Sequence, residues 1–270
     1  LCNNRFKVIK MILDIQREEL LISQLANLLK NDKHVAVGAA SPIPGAAALL
    51  AKEEAKSLNK RLRVTILHSN KYNNFTDGAR ELFDCAAQGR IDTFFLGGVQ
   101  IDGKANINLV GTGEYPKIEK RFPGSFGSAL MYFVVPQIIL FREEHSPRTL
   151  VKKVDFISAP GVSEKGVYRP GGPKYLLTNR ALFKFNKSLQ KFSLFKINEK
   201  ETIENLIKLT GFNFDVDKEI TQMPHPHTNR INILRNKIAP MVSEFYPEFA
   251  NRVWGISVSY THLTLPTIMP

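Results

Sequence analysis

Short, wholly apolar stretches alternate with helical segments through the first half of this chain. That alternation restricts the fold more than any other feature. His34-Val-Ala-Val-Gly38, Arg63-Val-Thr-Ile-Leu67 and Thr93-Phe-Phe-Leu-Gly-Gly98 are too short for helices and lack a polar face, so they read as strands buried on both sides. Arg17–Leu29 has apolar residues at helical spacing behind acidic Glu18 and Glu19. After the loop Ser41-Pro-Ile-Pro-Gly45, the alanine-rich Ala46–Leu58 reads as a second helix. Asp77–Gln88 reads as a third, with Asp77 placed to cap it and Gly89 to stop it. Further strands are expected at Val134–Phe141, Lys153–Ile157 and Lys174–Thr178. Ala181–Phe185 and Lys191–Ile197 are expected to pair across the turn Asn186-Lys-Ser-Leu, and a helix over Glu201–Thr210 to close at Gly211. The fold class that follows is α/β: an open, mostly parallel sheet flanked by helices, with some antiparallel β structure in the C-terminal half. Length permits one domain, taken as residues 11–254.

Ligands of such sheets bind beyond the carboxyl ends of the strands. The loops that fall there are Gly38–Gly45, His68–Asn74 and Gly97–Asn108. The last is the most suggestive. Its strand breaks at Gly97-Gly98 and is followed by Gln100, Asp102, Asn106 and Asn108, side chains able to fix a polar substrate where glycines let it approach the backbone. A second glycine cluster, Phe122-Pro-Gly-Ser-Phe-Gly-Ser-Ala129, offers Gly124, Ser125 and Gly127.

The formal net charge of +12 suits anionic partners. A nucleic-acid module is disfavoured, since basic and aromatic residues do not cluster into a reading motif. Phe183, Phe185, Phe192 and Phe195 are expected to be packed core. Cys2 and Cys85 give no disulfide framework or cysteine-based zinc site. His225-Pro-His227 lacks further ligands and reads as an extended linker, so no metal is expected. Gly111-Thr-Gly113 reads as a turn, and Arg142-Glu-Glu-His-Ser-Pro-Arg148 as a solvated loop. Without a secretory pattern or an apolar run of about 18 residues, a cytoplasmic location and no membrane partner are expected. Leu1–Lys10 and residues 255–270 read as non-native flanks, with Met11 a plausible start. Ser257–Thr267 resembles translated adapter sequence, which removes His262 from consideration.

In this order and spacing, several pieces resemble the β subunit of class I coenzyme A transferases of the glutaconate type. They are Gly97-Gly-Val-Gln-Ile-Asp102, Asn106-Ile-Asn108, Tyr115-Pro-Lys117, Phe122–Gly127, Val154-Asp-Phe-Ile-Ser-Ala-Pro-Gly161, Gly171-Gly-Pro173, Thr178-Asn179 and Thr210-Gly-Phe212. The resemblance covers roughly Glu18–Arg235. It implies the coenzyme A transferase architecture and a separate α-type subunit, with the active site between the two. Coenzyme A is then a substrate, with no permanently bound cofactor, and the other substrates are acyl-CoA and a carboxylic acid. It implies CoA contacts from Gly97, Gly98, Gln100, Asn106, Asn108, Gly124, Ser125 and Gly127, with backbone N–H groups near the thioester oxygen. On charge alone, Lys117, Lys120, Arg121 and Arg148 are candidates for the CoA phosphates.

One position departs from the family. Its nucleophilic glutamate sits at the end of the second strand, where this chain has His68. That glutamate's carboxyl carbon becomes the acyl carbon of an enzyme–CoA thioester. Imidazole has no such carbon, though at a usual pKa of about 6.5 it can act as a base toward water. Three functions therefore stay open: CoA transfer, hydrolysis of a CoA thioester (ring opening in some relatives), and a silent partner that shapes the site for the α subunit.

Overall fold

A computed structural model describes residues 15–256. Met11, both proposed flanks up to Lys10 and from residue 257, and His262 lie outside the described residues. Helix α1 (Arg17–Leu28) leads into β1 (His34–Val37), α2 (Pro42–Ser57), β2 (Arg63–Ile66), α3 (Gly78–Ala87) and β3 (Thr93–Leu96). The chain then leaves the sheet for two short hairpins: β4 (Gln100–Ile101) with β5 (Ile107–Asn108), and β6 (Gly111–Thr112) with β7 (Lys120–Arg121). Helix α4 (Ser128–Val134) returns it to β8 (Gln137–Phe141). A long excursion over 142–172 precedes β9 (Pro173–Leu177), β10 (Ala181–Asn186) and β11 (Lys191–Ile197). Helix α5 (Ile203–Leu209) crosses to β12 (Asp215–Gln222). A helical segment follows: α6 (Thr228–Ile233), a π turn at Leu234–Ile238, α7 (Ala239–Ser243) and α8 (Pro247–Trp254).

The main sheet runs β12-β11-β10-β9-β8-β3-β1-β2. From β2 to β9 all pairings are parallel; β9, β10 and β11 form an antiparallel meander, and β12 lies parallel to β11. This is the open α/β sheet expected. Side-chain alternation splits the core between its faces. Val35, Val37, Phe95 and Ile139 point to one face, under α1, α2 and the C-terminal helices. Ala36, Phe94, Leu96, Ile138 and Leu140 point to the other, under α3, α4, α5 and the two excursions. Phe183 and Phe192 are fully buried there with Phe185, forming the aromatic core expected of them. Among the described residues, no helix is long and apolar enough to cross a membrane.

Several elements differ from expectation. Ser41–Gly45 is not a loop throughout: Pro42 opens α2, where a missing N–H and a fixed φ suit a helix's first turn. Residues 134–136 are not strand, because α4 runs to Val134. Lys153–Ile157 forms no strand; neighbouring Leu150 and Ala159 bridge to Ile101 and Ile107 instead. Asp77 occupies the N-cap position of α3 without capping it: its carboxylate pairs with Arg80, and Glu81 accepts the Thr76 N–H at 2.7 Å. Gly111–Thr112 is a strand, not a turn. Gly211 does not close α5 in the left-handed conformation. It is needed because its backbone packs on Leu150, whose carbonyl oxygen would lie 2.4 Å from a Cβ there. Nothing in the pattern anticipated β12 or the helices beyond Thr228.

Candidate active site

β1 lies between β2 and β3, so the connections leaving it diverge to opposite sides of the sheet. That is the switch point at which α/β sheets open a crevice. A cleft of about 390 Å³ sits there, lined by Ser41 and Pro42 beyond β1, Gly97 beyond β3, and Arg142, Glu143 and Glu144 beyond β8. One strand over, His68 follows β2 and lines a neighbouring depression with Ser69, Lys71, Glu244 and Phe245.

Tyr246, from the turn before α8, joins the two. Its ring stacks on His68 with centroids 5.2 Å apart and planes 11° from parallel. Its hydroxyl accepts the Ser41 N–H at 3.2 Å and donates to the Ala39 carbonyl, so it fixes the turn between β1 and α2. Burial pushes the Tyr246 phenol above its ordinary pKa, which keeps that donor protonated.

The cleft's charges are mostly matched. Hydrogen bonds from Arg148, at 2.6 and 2.9 Å, and from Ser146 hold Glu144 down to about 2, so it is a fixed anion and a poor base. Glu143 pairs with Arg17 at 3.0 Å. Arg142 is the exception: its Nε is buried with no hydrogen-bond partner among the described residues, although its terminal nitrogen reaches Glu144 at 4.0 Å.

The structure separates the residues singled out in the sequence. Gly97 lines the cleft. Gly98 is buried behind it. Gln100, Asn106 and Asn108 are brought together, but their side chains bond to one another and to the chain. Asn108 donates to Gln100 at 2.8 Å and to the Gly111 carbonyl at 2.6 Å, and Gln100 donates to Asp155 at 3.0 Å. Asn106 donates to Asp102 at 3.0 Å and accepts the Gly161 N–H at 3.0 Å. These amides pin the two excursions together instead of facing the cleft. Gly124, Ser125 and Gly127 are set apart from it: Phe126 between them packs on Phe83 of α3, centroids 5.8 Å apart, and the Gly124 N–H is committed to the Leu109 carbonyl. Of the proposed phosphate contacts, Arg148 is paired with Glu144, whereas Lys117, Lys120 and Arg121 are exposed. His225 is exposed and bonds Glu199, and no group of three metal-capable side chains occurs among the described residues.

The functional residues that sequence reasoning missed are Arg142, Glu143 and Tyr246. The first two immediately follow a parallel strand, a signal that could have found them. Tyr246 carried none, because only the folded chain brings the C-terminal segment to β1.

The family model for coenzyme A transferase matches residues 16–192, more than half of the chain. The β subunit of glutaconate CoA-transferase from Acidaminococcus fermentans is 29% identical over 153 residues, which is 54% of this chain and 56% of that protein. The β subunit of 3-oxoadipate CoA-transferase from Pseudomonas knackmussii is also 29% identical over 153 residues, 54% of this chain and 58% of that protein. The match thus spans a little over half the length of these curated relatives. Among solved structures, glutaconate coenzyme A-transferase from Acidaminococcus fermentans superposes with a TM-score of 0.73 at 20% identity, covering 86% of this chain and 97% of that one. The decarboxylase AibA/AibB superposes at 0.70 and 21% identity, covering 90% and 100%. At such identities the superpositions establish the fold alone. With the family model spanning the sheet from α1 into β11, the chain belongs to the coenzyme A transferase family.

Proposed function

We propose that this chain is the β-type subunit of a coenzyme A transferase-like enzyme, acting on an acyl-CoA thioester at an interface with an α-type subunit. The observation that carries this is the cleft at the switch point, with Gly97 on its wall and His68 one strand away where the family has its glutamate. Each curated relative is one of two kinds of subunit in a CoA-transferase, which supports an α-type partner. The unpartnered Arg142 Nε supports binding of an anionic acyl group or acceptor carboxylate beside the thioester. The partly exposed Gly97 backbone is the candidate contact for the thioester oxygen; the Gln100–Asn106–Asn108 network supports that wall from behind.

The identity of residue 68 favours a second function, hydrolysis. Water would attack the thioester carbonyl as His68 takes its proton, CoA would leave as the thiolate, and the acid would be released. No acyl or CoA group stays on the chain. Co-expression with an α-type subunit, followed by assay of CoA thiol release from acyl-CoA, separates the two. Transfer requires an acceptor carboxylate and gives a new acyl-CoA; hydrolysis releases CoA without one. A folded complex that neither binds nor turns over acyl-CoA would overturn both.

A further inference from the structure

A second cleft, of about 800 Å³, lies away from the switch point. Lys104, Lys152, Lys153, Ile157, Lys191 and Phe212 line it. Its position follows from the strand register. Lys191 opens β11 opposite Asn186, the last residue of β10, and β10 runs antiparallel to β9. The β10–β11 turn therefore lies at the amino end of the parallel strands, opposite the end that carries Gly97 and His68.

Charge in this cleft is unbalanced. Lys191 pairs with Asp215. Lys104, Lys152 and Lys153 make no ion pair among the described residues, whereas Lys71 and Lys237 elsewhere do. The nearby acids are turned to other work. Asp102 accepts the N–H groups of Lys104 and Asn106 and the Asn106 amide, each at 3.0 Å, and Asp155 accepts from Gln100 and from the Gly113 N–H. Three like charges facing one cavity repel, and an anion between them relieves that repulsion.

The lysines also stand on fixed backbone. Lys104 sits in the turn that Asp102 holds. Lys152 and Lys153 follow Val151, whose N–H donates to the Ile101 carbonyl at 2.9 Å, beside Leu150, which accepts the Gly211 N–H at 2.7 Å. Ile157, 48% exposed, and Phe212 give the same cleft an apolar wall. Its volume is in the range of small-molecule sites.

We propose that this cleft is a second anion site, taking a small molecule that joins two or more phosphate charges to an apolar body. Titration calorimetry on the full chain, with ADP as the probe, tests it. ADP is expected to bind, pyrophosphate to compete, and adenosine alone not to bind. The K104E/K152E/K153E variant should weaken ADP binding by about 10-fold or more, with the circular dichroism and thermal melt of the parent. If that variant melts early, K104Q/K152Q/K153Q, which removes charge without reversing it, should still lower affinity. His68→Ala should leave ADP affinity unchanged. Absence of ADP binding overturns the proposal. So does ADP binding that survives both lysine variants, or that is lost with His68→Ala alone, which would place it at the other end of the sheet.

Discussion

His145 lies between two threonines, with Nδ1 2.8 Å from Thr178 Oγ1 and Nε2 2.9 Å from Thr210 Oγ1. It ties the excursion after β8 to the β9–β10 turn and the end of α5. Burial, reinforced by the positive charge of Arg180, pushes its pKa from 6.5 down to about 4. The folded protein therefore binds fewer protons than the unfolded chain between these values. Above pH 6.5 the ring is neutral in both states and its hydrogen bonds contribute fully. As pH falls toward 4 the unfolded state gains relative stability, by at most about 3 kcal/mol. His145→Gln should flatten that decline, measured as the urea midpoint of parent and variant at pH 7.5, 5.5 and 4.5; parallel profiles would sink the assignment. At His68 the expected change is chemical. His68→Glu returns a carboxyl carbon to the strand end. With the α-type partner and acyl-CoA, the variant should acquire a borohydride-trappable CoA thioester that the parent lacks, read by intact-protein mass spectrometry. A parent chain that already carries the adduct would contradict the role given to residue 68.

The excursions after β3 and β8 are held by backbone approach as much as by side chains. A Cβ on Gly161 would lie 2.1 Å from the Lys104 carbonyl oxygen and 2.7 Å from that of Ala105, and neither backbone can yield without breaking the Asp102–Asn106 turn. Gly161→Ala should cost on the order of 3 kcal/mol. Gly166→Ala meets nothing within 4 Å and strains only a positive φ, so it should cost about 1 kcal/mol. Equal midpoints for the two variants in urea would refute the close-packing argument. The same region shows where sequence was informative. The buried apolar β1, β2 and β3 were legible because period and length distinguish a two-sided strand. The Gly97–Asn108 polar cluster was legible as an organised site, but its partners were not. An amide that binds substrate and one that binds Asp155 look alike until the second excursion is laid beside the first. Lys153–Ile157 has strand-like composition, yet its neighbours spend their pairing on single bridges to β4 and β5.

At the scale of the whole molecule, the C-terminal helices close the structure over α1 and α2 and deliver Tyr246 to the candidate site. Sequence concealed this because short helices interrupted by a π turn and by prolines give no sustained period. Their attachment centres on Glu19, whose side chain is fully buried. It receives Arg235 through two hydrogen bonds of 2.7 Å and the Trp254 indole at 3.2 Å, while also accepting the Gln16 N–H at 3.0 Å. Glu19→Ala would leave the Arg235 guanidinium without its carboxylate and free the indole, a loss of about 3–5 kcal/mol for a buried pair broken on one side. Glu143→Ala, removing an exposed partner of Arg17, should cost under about 1 kcal/mol. If the segment is attached as inferred, Glu19→Ala should also loosen Tyr246 from Ser41. Hydrogen exchange at the Ser41 amide should then rise in Glu19→Ala and in Tyr246→Phe, and stay at the parent level in Glu143→Ala. Unchanged exchange at Ser41 in the destabilised Glu19→Ala protein would show that the turn beyond β1 holds its shape without the C-terminal helices.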